Sequence, residues 1–262
     1  MSVDTYYKDH WVTIEDERLD RYEEMFVWSS AQDPLIAAAE IASGQTVADF
    51  GCGPGYLACE LLRRVGPRGA VHALDVNEEF LARTRARAEG QGFDSLSTYP
   101  LTDRTVPLSD ESMDRIVTKN VLVYVDDPLA TFREFRRIIR PGGIVHAIDS
   151  DFLMSVVDPV PALEWRALID AAAHAFRTPS IGRQLYRLAR QAGFEDVSVA
   201  VLARPDTGGR MLNFLTNVAG YARLGGALGE AEIERVLTTA RAALENGTYM
   251  ALNPQFLVTA RA

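Results

Sequence analysis

Val47-Ala48-Asp49-Phe50-Gly51-Cys52-Gly53-Pro54-Gly55 is the stretch that decides the fold, with the helical pattern Tyr56–Val65 directly behind it. An apolar strand runs into a glycine-rich turn, and the turn opens a helix. Such a turn leaves backbone N–H groups at the helix mouth, and missing Cβ atoms let a polar ligand approach the main chain. A phosphate-cradling loop would end in Gly-Lys-Ser/Thr, which this turn lacks. A dinucleotide fingerprint would need glycine at position 56, where the chain has Tyr56.

Outward from the turn, the apolar stretch 70–74 ends in Asp75, twenty residues beyond Gly55. In a βαβ unit an acid at that distance caps the second strand and can accept ribose hydroxyls, whichever nucleotide is bound. Further on come Pro107-Leu108-Ser109-Asp110-Glu111-Ser112-Met113-Asp114-Arg115-Ile116-Val117 and Phe135-Arg136-Arg137-Ile138-Ile139-Arg140-Pro141-Gly142-Gly143-Ile144-Val145. With Asp49 two residues before Gly51, the turn reads D-x-G-x-G-x-G. These four signatures, over roughly residues 45–150, resemble class I S-adenosylmethionine-dependent methyltransferases in order and spacing. Within that class the motifs look most like the group that includes quinone-ring and natural-product enzymes.

The resemblance implies a Rossmann-like methyltransferase fold and S-adenosylmethionine as cofactor. It assigns Asp49 to the methionine ammonium, Gly51, Gly53 and Gly55 to close backbone approach, and Asp75 to the ribose. Cys52 fills a turn position and Val76 flanks the adenine. Where the family often has an acid bonding the adenine amino group, this chain has Thr102 with Asp103 beside it. Either Asp103 or backbone near Leu101 then takes the adenine. Asn120 stands where the family lines the junction of cofactor and acceptor, and it is equally readable as a turn residue.

Alternating strand and helix signals give a doubly wound α/β fold with a seven-stranded sheet. Strands are expected at 46–50, 70–74, 95–99, 113–118, 143–149, 196–203 and 249–260, the last antiparallel by resemblance. Helices are expected at 34–42, 77–90, from Asp127-Pro128 to a stop at Pro141-Gly142, and at 182–192 with a Schellman stop at Gly193. The core comprises 31–150, 182–204 and 249–262. Segments 151–181 and 205–248 are helical inserts on the ligand-bearing sheet edge, and residues 1–30 form an N-terminal lid segment. The stripe Met211, Leu212, Leu215, Val218 in the second insert reads either as lid packing or as the interface of a homodimer.

The chain has 262 residues, 47% hydrophobic and 24% charged, with a net charge of −9. That describes a water-soluble globule and argues against nucleic acid, which needs clustered Lys and Arg. The acidic balance likewise disfavours a membrane surface. Arg83-Thr84-Arg85-Ala86-Arg87 reads as a solvated helix face. The N-terminus has no signal-peptide pattern and no apolar run reaches spanning length, which points to the cytoplasm. Two cysteines, Cys52 and Cys59, in a turn and the following helix suit neither a disulfide nor a metal site.

For the acceptor side, Tyr6, Tyr7, His10 and Trp11 form an aromatic-polar cluster ahead of the core. Tyr7 and His10 are candidates to steer a nucleophile, or else the cluster packs on the core. Asp149 and Asp151 flank the top of the fifth strand, where an acid could bind a cation or take a proton, or simply cap the next element. Arg183 either holds a carboxylate or faces solvent, and Trp28 reads as packing. The expected activity is methyl transfer to a nitrogen, oxygen or carbon of a small molecule. The alternatives are a fold-retaining regulatory or scaffolding protein that binds nucleotide without transfer, and a protein-residue methyltransferase.

Overall fold

The computed structural model describes residues 5–12, 14, 23, 26–102 and 105–262. Nine strands occur among them: β1 Thr46–Phe50, β2 Ala70–Asp75, β3 Leu96–Pro100, β4 Met113–Lys119, β5 Ile139–Ser150, β6 Val156–Asp158, β7 Asp196–Leu202, β8 Met250–Leu252 and β9 Gln255–Arg261. Seven build one sheet in the order β3-β2-β1-β4-β5-β9-β7. β9 runs antiparallel to β5 and β7, while β1–β5 are mutually parallel. Side chains alternate across β1: Val47 joins the helices Tyr56–Val65 and Glu78–Gly90 on one face. Ala48 and Phe50 join Phe132, Phe135 and Leu185 on the other. Helices on both faces of a mainly parallel sheet leave a crevice where strand order reverses, between the carboxyl ends of β1 and β4.

Local sequence explains most boundaries. Asn77 caps the helix Glu78–Gly90 by accepting from Phe80 N at 3.0 Å, and Asp127 caps Pro128–Ile138 by accepting from Ala130 N at 2.9 Å. The helix Ile181–Gln191 ends in the expected Schellman turn, with Gly193 at φ 94° and Phe194 N bonded to Ala189 O at 3.2 Å.

Three boundaries differ from expectation. The helix 128–138 stops before Pro141, because a residue preceding proline avoids helical backbone and Ile139 instead pairs with Met113 in the sheet. The helix expected at 34–42 is one α-turn, Asp33–Ile36, and a 3-10 turn, Ala37–Ala39. Its carbonyls serve the sheet, Leu35 O bonding His146 Nε2 at 2.7 Å and Ala39 O accepting from Arg115 Nε at 2.8 Å. The strand expected at 249–260 is two: Pro254 cannot donate to a ladder, so β8 pairs with β6 in a separate ribbon and β9 returns to the main sheet.

The inserts pack on each other. Trp165, Leu168 and Ile169 of the helix Ala162–Ala171 share one core with Leu215 and Val218 of Leu212–Gly225 and Val236 of Glu230–Glu245. Leu215 and Val218 of the stripe are therefore buried within the chain, while Met211 and Leu212 are half-buried. The basic run on Glu78–Gly90 also does more than face solvent. Arg83 and Arg87 both pair with Glu23, and Arg87 Nε donates to Pro54 O in the glycine turn at 2.9 Å.

Candidate active site

A cavity of about 550 Å³ opens at the sheet's switch point. β1 delivers Asp49, Gly51, Cys52 and Gly53 to it, β2 delivers Asp75 and Val76, and β4 delivers Lys119 and Asn120. Each arrives because its strand ends on the same edge. Gly53 sits at φ 52°, and a Cβ there would meet nothing within 4 Å, so this turn position faces open space. Gly55 differs: it is absent from the lining, and a Cβ on it would lie 2.6 Å from Thr84 Oγ1. Its glycine serves helix packing rather than the direct backbone approach expected of it.

Asp75 accepts from Gly53 N at 2.8 Å through Oδ2 and from Asn77 N at 3.0 Å through Oδ1. Each oxygen keeps a further lone pair for a ligand hydroxyl. Burial pushes its carboxyl up to about 6, with the backbone N–H groups of Asn77, Gly53 and Val76 pulling the other way. Asp49 is buried, and its Oδ2 has no hydrogen-bond partner among the described residues. Burial, and next the Asp75 charge, push it up to about 7, opposed by Lys119. An orphaned, buried carboxylate oxygen at a cavity wall fits a ligand cation or donor. Cys52 lines the cavity as a thiol driven well above its ordinary range by burial, hence inert.

Asn120 lines the cavity in left-handed backbone, φ 58°, with its Oδ1 accepting from Gln255 Nε2 at 3.2 Å. Strain of that kind at a cavity wall fits the junction reading more than a plain turn. At the adenine end, Val76, Leu101 and Thr102 line the wall, but Leu101 N already donates to Asp75 O at 2.8 Å. Asp103 lies outside the described residues.

The acceptor candidates separate. Tyr7 is off the cavity lining, but its hydroxyl donates to Asp126, which is on it. That bond raises the phenol's pKa and holds Asp126 below the usual carboxylate range. His10 is buried away from the cavity, stacked on Tyr6 at 4.7 Å and close to Tyr221 at 5.7 Å, which makes it part of an aromatic joint. Asp149 is also off the lining. Its carboxylate accepts from Val123 N at 3.2 Å and Ser150 N at 2.9 Å, pinning the 3-10 turn Leu122–Tyr124, and burial pushes it up to about 7. Asp151 accepts from Arg183 and from Leu153 N, so the carboxylate that Arg183 holds belongs to the chain itself.

Of the N-terminal aromatic cluster it is Trp11 that reaches the cavity wall, and Trp28, expected to be packing, lines it too; Phe26, Tyr124 and Lys119 line it without being foreseen from the sequence. Asn77 is the least foreseeable: besides capping its helix, its Nδ2 donates to Trp11 O at 2.8 Å, fastening the N-terminal helix beside Asp75. Only the spacing Asp75-Val76-Asn77 before a helix hints at that second role.

Comparison with known proteins agrees with this geometry. Residues 48–147 match the methyltransferase domain family. An uncharacterised 37.1 kDa protein in transposon TN4556 of Streptomyces fradiae is 34% identical over 63% of this chain and 48% of its own length. A 2-phytyl-1,4-naphtoquinone methyltransferase of Nostoc punctiforme is 28% identical over 70% of this chain and 82% of its own. The chain spans about half or less of the length of the first curated relatives it matches. Among solved structures, a Haemonchus contortus phosphoethanolamine N-methyltransferase 2 shares the fold with a TM-score of 0.65 at 15% identity, over 97% of this chain and 59% of that one. Residues 48–147, with the glycine turn and Asp75 that they contain, are thus similar to the methyltransferase domain family, and the fold is shared with S-adenosylmethionine-dependent methyltransferases.

Proposed function

We propose that the chain transfers a methyl group from S-adenosylmethionine to a nitrogen, oxygen or carbon of a small-molecule acceptor. The observation that carries this reading is the convergence of Asp75, orphaned Asp49 and open-faced Gly53 on one cavity. When bound, the cofactor supplies an electrophilic methyl on a sulfonium sulfur. Asp75 accepts the ribose hydroxyls, Asp49 receives the ammonium end, and Gly53 admits the ligand against the main chain. Val76 and Leu101 border the adenine. Trp11, Phe26, Trp28 and Tyr124 form an apolar wall that keeps water from the reacting centre and presents a flat surface to the acceptor.

The chain's contribution is thus mainly alignment, the part of the barrier that positioning lowers. Tyr7 enters as a positioning residue, holding Asp126 ionised at the rim, where a cationic or proton-bearing acceptor group would meet it. His10 and Asp149 hold the aromatic joint and the 122–124 turn. A quinone-like or phenolic acceptor suits the aromatic wall and the likeness to the naphthoquinone enzyme. We further propose action in the cytoplasm. Among the described residues no helix is long and apolar enough to cross a membrane, and the net charge of −9 disfavours nucleic acid as acceptor.

Methyl-labelled cofactor, incubated with the protein and a small-metabolite filtrate, tests this. Label in a small organic product is the expected result. Label only in protein would favour a protein-residue methyltransferase, and bound but untransferred label would favour a regulatory binding role.

A further inference from the structure

Lys119 is the residue of this cavity that neither the glycine turn nor the ribose acid explains. It ends β4, one position past the Phe50–Thr118 pairing, and lines the cavity. Asp49 pairs in register with Val117, so Asp49, Val117 and Lys119 project from the same face of the sheet. Asp49 and Lys119 are therefore diagonal neighbours of opposite charge on one wall.

They do not form an ion pair. The Lys119 side chain makes no hydrogen bond or salt bridge with the described residues, and Asp49 Oδ2 is likewise unpartnered. A structural pair would close on itself, since each partly dehydrated charge left open is costly. Burial depresses the Lys119 ammonium while Asp49 and Asp149 pull it back up, so its charge depends on neighbouring anions. Two opposite charges held apart on one wall complement a ligand head that carries both signs. An α-amino acid head does so, with its ammonium and carboxylate on one carbon.

We propose that Lys119 anchors the α-carboxylate of the cofactor's methionyl end while Asp49 takes its ammonium, forming a two-point clamp for a zwitterion. This rests on the cofactor reading above and adds to it the residue that distinguishes a complete amino-acid head from a truncated one. Nucleosides with only an amine at that end would satisfy Asp49 and leave Lys119 without its partner.

The test compares ligands by calorimetry on the intact protein: S-adenosylmethionine, its decarboxylated form (ammonium, no carboxylate) and 5′-methylthioadenosine (neither group). Wild type should prefer the complete ligand over the decarboxylated one by about ten- to hundredfold, the value of a charge-assisted hydrogen bond. Lys119→Met should erase that preference and leave methylthioadenosine affinity unchanged, while Lys119→Arg should restore most of it. Equal wild-type affinity for complete and decarboxylated cofactor would overturn the proposal, and so would an equal loss for all three ligands in Lys119→Met. The wild-type comparison stands even if the methionine variant folds poorly. Failure of wild type to bind any of the three would instead strike the cofactor reading itself.

Discussion

Asp49 is a carboxylate held in the wrong medium for its charge, and that has a measurable cost in the ligand-free protein. Its pKa is pushed up to about 7 by burial first and Asp75 next, well above the unfolded value. A carboxyl with a raised folded pKa binds protons better folded than unfolded. Its contribution to stability is complete below the unfolded pKa and lost as pH rises through about 7. Asp49→Asn should therefore raise the ligand-free Tm at pH 7.5 by an amount worth at most a few kcal/mol, and flatten its fall between pH 4 and 7, roughly the window set by the two pKa values. Thermal melts across pH check this; an unchanged slope would mean that folding does not raise the Asp49 pKa. Ligand affinity should run the opposite way, rising as pH passes through about 7 and the carboxylate forms to meet an ammonium. Asp75→Ala should weaken S-adenosylhomocysteine by about ten- to hundredfold with the circular dichroism spectrum intact, and unchanged affinity would remove Asp75 from the ribose. Both acids are legible in the sequence because their roles depend on short spacings, two residues before Gly51 and twenty beyond Gly55. Lys119 is not legible: its meaning comes from register against β1, and a lysine ending a strand is usually a solvated one.

At the scale of elements, the helix Tyr6–Val12 spans two parts of the molecule. Trp11 lines the cavity and meets Tyr124 at 5.0 Å, Asn77 Nδ2 holds the Trp11 carbonyl, and Tyr6 meets Tyr221 of the second insert edge-on while His10 meets it tilted. The aromatic content of residues 6–11 announces a packed element, but which side chain faces the ligand depends on inserts whose placement no local pattern encodes. That is why Trp11 and Trp28 join the wall while His10 does not. The same limit applies to Pro254 and Pro141. Each is readable as a breaker, yet where the chain goes afterwards is decided by the sheet. We expect deletion of residues 1–12 to change S-adenosylhomocysteine affinity by less than about tenfold and to lower turnover by about 10²-fold, because alignment rather than cofactor contact is lost. Hydrogen exchange over Tyr6–Val12 should slow when cofactor and acceptor are both present. Normal turnover in the truncated protein would reduce the helix to packing.

For the whole molecule, the account reduces to one cavity at one crevice. The sheet order, with β1 and β4 adjacent at its centre, brings the glycine turn, Asp75 and Asn120 to a single mouth. The two inserts and the N-terminal helix, joined through Phe152, Phe176, Tyr124 and Tyr221, pack together around that side. The seven strands follow from the alternation of elements, whereas their order, the β6–β8 ribbon and the mutual packing of the inserts arise from contacts between segments far apart in the chain. The most direct measurement is thermal unfolding with S-adenosylhomocysteine, NAD or ATP, each titrated to saturation. A ligand at a hundred times its Kd adds about 2.7 kcal/mol to stability, enough for a Tm rise of several degrees. The account predicts that rise with S-adenosylhomocysteine and none with NAD or ATP. A rise with NAD and none with S-adenosylhomocysteine would contradict it.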